Sequence, residues 1–298
     1  TIPFSDPIDS DRLVGFTPDT THVDTDMNHN KTWFYRIAAS DAESQKSVYS
    51  EMVWLGSGVT LEVPSPYATI QSAIDAATAI DTVLVAAGTY NEHITLKDGV
   101  LVMSQDGAAT TTIQSSTGNV VSSTGLGDLT LLKGFTVSGQ GTATNGLNIL
   151  DSVIRVQDCV ITGCNNGANM SFGAKPTFTG TTLANCQYGA ALADSSAPFF
   201  SGCTFSDNSF AGVYNQSVPG PQIGRTLADA CDFENNAYFH IFNLAAAELD
   251  AEYNYWGDVC VEAAWFYGLV DYIPWTDSAH TEVYTLSLIH ISEPTRPY

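Results

Sequence analysis

CVITGCNNGANMSFGAKPTFTGTTLANCQYGAALADSSAPFFSGCTFSDN, residues 159–208, is the stretch that decides the fold. Within it Cys164 and Cys186, Gly167 and Gly189, Pro176 and Pro198, Phe178 and Phe200, and Gly180 and Gly202 each stand 22 residues apart. One period accounts for all five pairs. Upstream, Leu132 and Val156, Val137 and Ile161, and Gly139 and Gly163 repeat at 24; downstream, Cys203 and Cys231, Phe205 and Phe233, and Asn208 and Asn236 repeat at 28. The longest spacing implies a loop insertion, placed around SVPGPQ, residues 217–222.

Aligned by period, Val137, Ile161, Leu183, Phe205 and Phe233 form an apolar column, and Cys164, Cys186, Asn208 and Asn236 a small or polar one. Columns of this kind mean that equivalent side chains stack. Short strands joined by turns, with insertions confined to single loops, describe a coil that climbs one strand spacing, about 4.8 Å, per turn. The expected fold is all-β: a right-handed parallel β-helix, a single-chain solenoid. Further strands are expected at TVLV (82–85), HITL (93–96), VLVM (100–103), TTI (111–113) and NVV (119–121). The one helical pattern, Ile70, Ala73, Ile74 and Ala77 behind Thr69 as N-cap, predicts a helix over 69–79 that covers the open first coil.

The columns also account for the cysteines. Asn208 and Asn236 are expected to hydrogen-bond along the stack below Cys164 and Cys186, with Cys159, Cys203 and Cys231 sharing a second column. Stacked side chains on a parallel sheet keep Cβ atoms near the strand spacing, longer than the roughly 3.8 Å of a relaxed bridge, so buried free thiols are expected.

Asp and Glu number 32 against 10 Lys and Arg, a formal charge of −22, which would repel phosphate backbones; nucleic acid is not an expected partner. No apolar run reaches the roughly 20 residues of a membrane-spanning helix. A monomer is expected.

Ahead of the repeats, Trp33, Tyr35, Ile37 and Ala39 alternate with their neighbours as a strand does, and Val48 to Trp54 suggests a second. The stretch HVDTDMNHNKTWFYRIAASDAESQKSVYSEMVWL resembles the last strands of a fibronectin type III domain, with Trp33 at the family's corner-tyrosine position. The resemblance implies a partial β-sandwich over 1–56, a fragment of a longer protein, followed by a linker at 57–66. His22, Asp24, Asp26 and His29 read as a polar strand edge and turn rather than as metal ligands.

YATIQSAIDAATAIDTVLVAAGTYNEHITL is similar to the opening of right-handed β-helix proteins of the pectate-lyase-like, pectinesterase-like and NosD types; CTFSDN and CDFENN resemble their coils, and EYNYWGD with VDYIPW resembles the close of the secreted bacterial branch. The resemblance implies a β-helix over 67–258, a C-terminal cap and continuation over 259–285, and an extracellular or cell-surface location. Gly88, Tyr90 and Glu92 match the pectin methylesterase G-x-Y-x-E element, a structural turn. The catalytic motifs of those esterases do not recur, Gln157 and Asp158 lacking their context, and the Gly-His-Gly and Arg-x-Lys motifs of polygalacturonases are absent from the sequence. The final LSLIHISEPTRPY, residues 286–298, reads as translated sequencing-adapter DNA from Leu286 to Arg296 and is set aside from the fold.

Two candidate sites follow. Lys133 and Gln157 share a column and Arg155 is expected to point outward beside them, with Asp151 and Asp158 nearby; a positioned Arg or Lys could take a proton beside a uronate, with Ca²⁺ on the carboxylates, as a polysaccharide lyase does. The alternative is a set of surface cations serving solubility. Tyr188, Phe210 and Tyr238, spaced 22 and 28 apart, are expected in one column: exposed, a platform for sugar rings; buried, a packing stack. The leading expectation is a surface protein that binds or displays against polysaccharide or a cell-surface glycan, needing no cofactor. A lyase or other carbohydrate-active enzyme is the alternative, and a structural spacer or adhesin the third reading.

Overall fold

The structure, a computed structural model, describes residues 33–35, 53–55, 58–258 and 260–285. The chain divides into two units, 1–57 and 58–298. In the first, Trp33–Tyr35 and Val53–Leu55 pair antiparallel, Trp33 opposite Leu55. Both fall within or beside the expected strands. The remaining fibronectin-like residues, His22, Asp24, Asp26 and His29 among them, and the tail 286–298 lie outside the described residues.

The second unit is a right-handed parallel β-solenoid of about nine turns with very little helix. Each turn presents three faces. The first is an eight-stranded sheet that starts at Thr60–Val63 and Thr82–Val85 and ends at Phe199–Ser201 and Gln222–Ile223. The other two belong to one thirteen-stranded sheet, because Thr136–Leu150 and Val160–Ser171 run without a break round the corner between them. Thr60–Val63 lies in the stretch expected to be a linker. Its alternating burial, with Leu61 and Val63 inside, and its parallel pairing with Thr82–Val85 make it the first strand of the solenoid. Gly58 and Pro64 flank too short a strand for the alternation to outweigh the turn residues.

The register matches the expected columns. Val137, Ile161, Leu183, Phe205 and Phe233 are successive partners on the second face. Leu132, Val156, Phe178, Phe200 and Ile223 do the same on the first, and Leu147, Ala168, Ala190, Val213 and Ile241 on the third. All fifteen are buried. Three-residue strands such as Thr177–Thr179 and Thr204–Ser206 put only the middle side chain inside, so one apolar residue per strand builds the core.

Where the extra residues go differs from the sequence reading. Phe200 to Ile223 is a step of 23, whereas Cys203 to Cys231 is 28, so the five additional residues lie in 224–230, GRTLADA, and not in SVPGPQ. SVPGPQ is a corner of ordinary length.

The helix spans Ile70–Ala76, shorter than the expected 69–79, with Ile70, Ala73 and Ile74 buried. Thr69 caps it, accepting from the Ser72 N–H at 3.1 Å. Glu92 completes the start of the helix: its carboxylate accepts the Ile70 and Gln71 N–H groups at 3.0 and 3.1 Å. The G-x-Y-x-E element thus ties helix to solenoid, and the Tyr90 hydroxyl donates to the Ala86 carbonyl at 2.9 Å.

Polar ladders line the corners. Asn208 Nδ2 donates to Asn236 Oδ1 at 2.9 Å, and Asn208 Oδ1 accepts the Cys186 N–H at 3.1 Å. Asn119, Asn145 and Asn166 form a second ladder with 2.7 and 2.8 Å links, and Asn215 and Asn243 a third at 3.0 Å. Each satisfies a buried amide that would otherwise cost roughly 1–3 kcal/mol.

Candidate functional site

On the first face the structure places Lys133 opposite Gln157, as the spacing predicts. Arg155 lies two residues earlier on the same strand, opposite Leu131. The set does not converge. Lys133 Nζ is paired with Asp158 Oδ2 at 3.3 Å, beyond the end of strand Arg155–Gln157, while Arg155 Nη2 donates to the Leu129 carbonyl at 3.4 Å. Asp151 stands in the turn that precedes that strand, at the opposite end from Asp158. The Lys133 and Asp158 side chains are 39% and 60% exposed, so their pairing is a solvated surface contact of small energetic weight.

Five of the six cysteines are buried and all six are free thiols. Burial pushes Cys159 up to about 11, and burial followed by the neighbouring Cys203 pushes Cys231 well above the ordinary thiol range. The hydrogen bond that Cys164 donates to Cys186, followed by burial, raises Cys164, and the same bond lowers Cys186. Buried and raised in this way, Cys159, Cys164 and Cys231 are poor nucleophiles. Among the described residues, no group of three or more His, Cys, Asp or Glu side chains is arranged to hold a metal ion.

The third face is different. Tyr188, Phe210 and Tyr238 do meet, with ring centroids 5.3 and 5.6 Å apart, but not by the expected register. Tyr188 is the partner of Ala211, because the corner before this strand is one residue longer than in the turn below, and Phe210 sits just ahead of the strand. The rings are on the outside of the sheet: Tyr188 and Phe210 are half-buried and Tyr238 is 65% exposed. Burial, followed by the neighbouring Tyr214, pushes the Tyr188 phenol above its ordinary value.

Four further rings complete the array. Ala191, Tyr214, Phe242 and Tyr267 occupy one outward column. Tyr214 stacks on Phe242 at 5.6 Å and 11°, and Phe242 on Tyr267 at 4.4 Å and 15°. Phe239 packs against both Phe210 and Phe242, at 5.7 and 4.9 Å. The step of 28 from Tyr214 to Phe242 equals that from Phe205 to Phe233, so the sequence carried the signal that these rings share a column. Leu244 and Leu269, both exposed, follow closely on this face's last strands.

The stacking decides which rings are open. In the Tyr214–Phe242–Tyr267 column each ring covers the face of the next, so the inner members show mainly edges. Tyr267, at the column's end, is 48% exposed, and it and Tyr238 offer the most accessible aromatic surface. Together the rings form a contiguous outward aromatic patch on this sheet face.

His240 is buried behind this face. Its Nε2 faces the Trp256 carbonyl at 3.2 Å and its Nδ1 the Asn236 amide at 3.1 Å, which fits a neutral ring protonated on Nε2. Burial lowers its pKa to about 4.

Residues 119–255 match the family described as right handed beta helix region. No curated protein matches the sequence. Among solved structures, the chain is similar to the tailspike protein gp49 of Acinetobacter baumannii bacteriophage Fri1, a capsular polysaccharide depolymerase, with 13% identity, a TM-score of 0.45 and coverage of 74% of this chain and 53% of that one. The chain therefore spans about half of that tailspike's length. It is also similar to the family 28 exopolygalacturonase of Yersinia enterocolitica, with 11% identity, a TM-score of 0.27 and coverage of 83% and 70%. Among the described residues no helix is long and apolar enough to cross a membrane.

Proposed function

We propose that this chain is a polysaccharide-binding β-solenoid of the extracellular space or cell surface, and that the third face is its binding surface. The observation that carries the reading is the outward cluster of Tyr188, Phe210, Tyr214, Tyr238, Phe239, Phe242 and Tyr267. Sugar rings carry apolar C–H faces beside their hydroxyls, and aromatic rings fixed on a rigid sheet offer a matching surface at little entropic cost. Tyr238 and Tyr267 make the direct contacts, and the half-buried rings hold them in place. Lyase chemistry at Lys133 and Arg155 has less support, because one cation is engaged by Asp158 and the other by a backbone carbonyl.

Affinity electrophoresis through gels containing neutral glucan, galactan or mannan, or the uronates pectate and alginate, tests the proposal. At least one polymer should retard the protein, and Tyr238→Ala with Tyr267→Ala should weaken that binding about tenfold or more while leaving Tm unchanged. No retardation by any polymer, or equal retardation of the variant, would overturn it.

A further inference from the structure

A cleft of about 250 Å³ opens at the corner where the third face passes into the first, between SVPGPQ and residues 247–250. Asn215, the residue after Tyr214 of the aromatic column, lines it. Gln216 ties corner to column, donating from Nε2 to the Tyr214 hydroxyl at 2.8 Å. The polar lining comes from three segments: Ser217 and Gln222 from the corner, Arg225 from the five-residue insertion, and Glu248 and Asp250 from the next turn. Arg225 Nε and Asp250 Oδ2 stand 3.6 Å apart. Ser217 is 1% exposed, and its hydroxyl is buried without a hydrogen-bond partner.

We propose that this cleft is a subsite for a single neutral sugar residue of the polymer bound on the aromatic face; it rests on that reading and extends it to the class of sugar. The volume lies below the roughly 300–1,000 Å³ of pockets for drug-sized ligands, which suits one ring and not a longer segment. Glu248 and Asp250 supply acceptors for adjacent hydroxyls, and Arg225 and Gln222 supply donors. Charge sets the preference. The lining holds one guanidinium and two carboxylates, and the guanidinium is already paired with one of them, so a uronate would bring a third negative charge into a cleft with no free cation among its lining residues. The surroundings add to this: burial, then Asp250 and Asp271, pushes the nearby Glu252 carboxyl above its ordinary value. A neutral pyranose avoids that repulsion while using the same hydrogen bonds.

Saturation-transfer NMR and calorimetry with the methyl glycosides of glucose, galactose, mannose and N-acetylglucosamine, against glucuronate and galacturonate, test the inference. At least one neutral glycoside should bind saturably at millimolar concentration, and both uronates should bind at least about fivefold more weakly. Arg225→Ala and the milder Asp250→Asn should each raise the Kd of that glycoside about tenfold with Tm unchanged, while Tyr238→Ala with Tyr267→Ala should change it less than about twofold. Absence of saturable neutral binding, indifference to both cleft variants, or equal or tighter binding of a uronate would overturn the inference. Polymer retardation that persists in both cleft variants alongside such a result would locate the failure in the cleft alone. Saturable glycoside binding without polymer retardation would locate it in the aromatic-face reading.

Discussion

The solenoid carries two sets of stacked rings that differ only in which side of the wall they occupy. Inside, Phe178 stacks on Phe200 at 4.9 Å and 21°, and Phe205 on Phe233 at 4.7 Å and 12°. Outside, Tyr214, Phe242 and Tyr267 stack with the same near-parallel geometry. The inner rings are fully buried, whereas the outer rings are half-buried or exposed. Parallel register alone makes a column, so stacking says nothing about purpose. Exposure separates the rings that hold the rod together from those available to a ligand.

The largest effect is expected from Phe205→Ala. It removes a ring from the middle of the inner column between Leu183 and Phe233, and chemical denaturation should show a loss of about 3–5 kcal/mol. Tyr267→Ala, equally aromatic and equally stacked, should stay within about 0.5 kcal/mol of the parent. Comparable losses for both would remove the distinction between inner and outer columns.

Acid acts on the inner set through His240. His240 packs against the inner ring of Phe233 and against Trp256 and Trp265, and its folded pKa of about 4 lies below the ordinary 6.5. Between those values the unfolded chain binds more protons, so the stability contribution is complete above pH 6.5 and is lost as pH falls through 4. The loss amounts to at most about 3 kcal/mol. Denaturation midpoints measured from about pH 7 to about pH 4 should fall accordingly, and His240→Gln should flatten that slope. An unchanged slope in the variant would place the acid sensitivity elsewhere.

The inner columns were legible in the sequence because a one-residue strand core repeats the same residue type at a fixed interval; Val137 through Phe233 needed only counting. The corners were not legible in the same way. A step of 28 states that five or six residues have been added without saying at which of three corners, and proline and glycine in SVPGPQ drew the assignment away from GRTLADA. The same ambiguity displaced Phe210 by one position, since a corner lengthened by a single residue shifts the register of the next strand. The period brings Tyr188, Phe210 and Tyr238 to one edge but puts Tyr188 one position out of register, and the 28-residue interval from Tyr214 to Phe242 carries the signal for the second column. Periodicity does not report which side of the wall a ring faces. Lys133 and Gln157 were correctly paired, yet the ion pair with Asp158 depends on a turn conformation, φ 52° at Asp158, that no spacing encodes. The cleft joins three segments through an insertion loop and had no sequence signature.

Hydroxyl-radical footprinting of the intact chain, with and without the polymer that retards it most, examines the outer column directly. Labelling of Tyr238 and Tyr267 should fall severalfold on binding, with Lys133 and its surroundings on the first face unaffected. Unchanged labelling of both tyrosines, or protection centred on the first face, would contradict the assignment of binding to the aromatic wall.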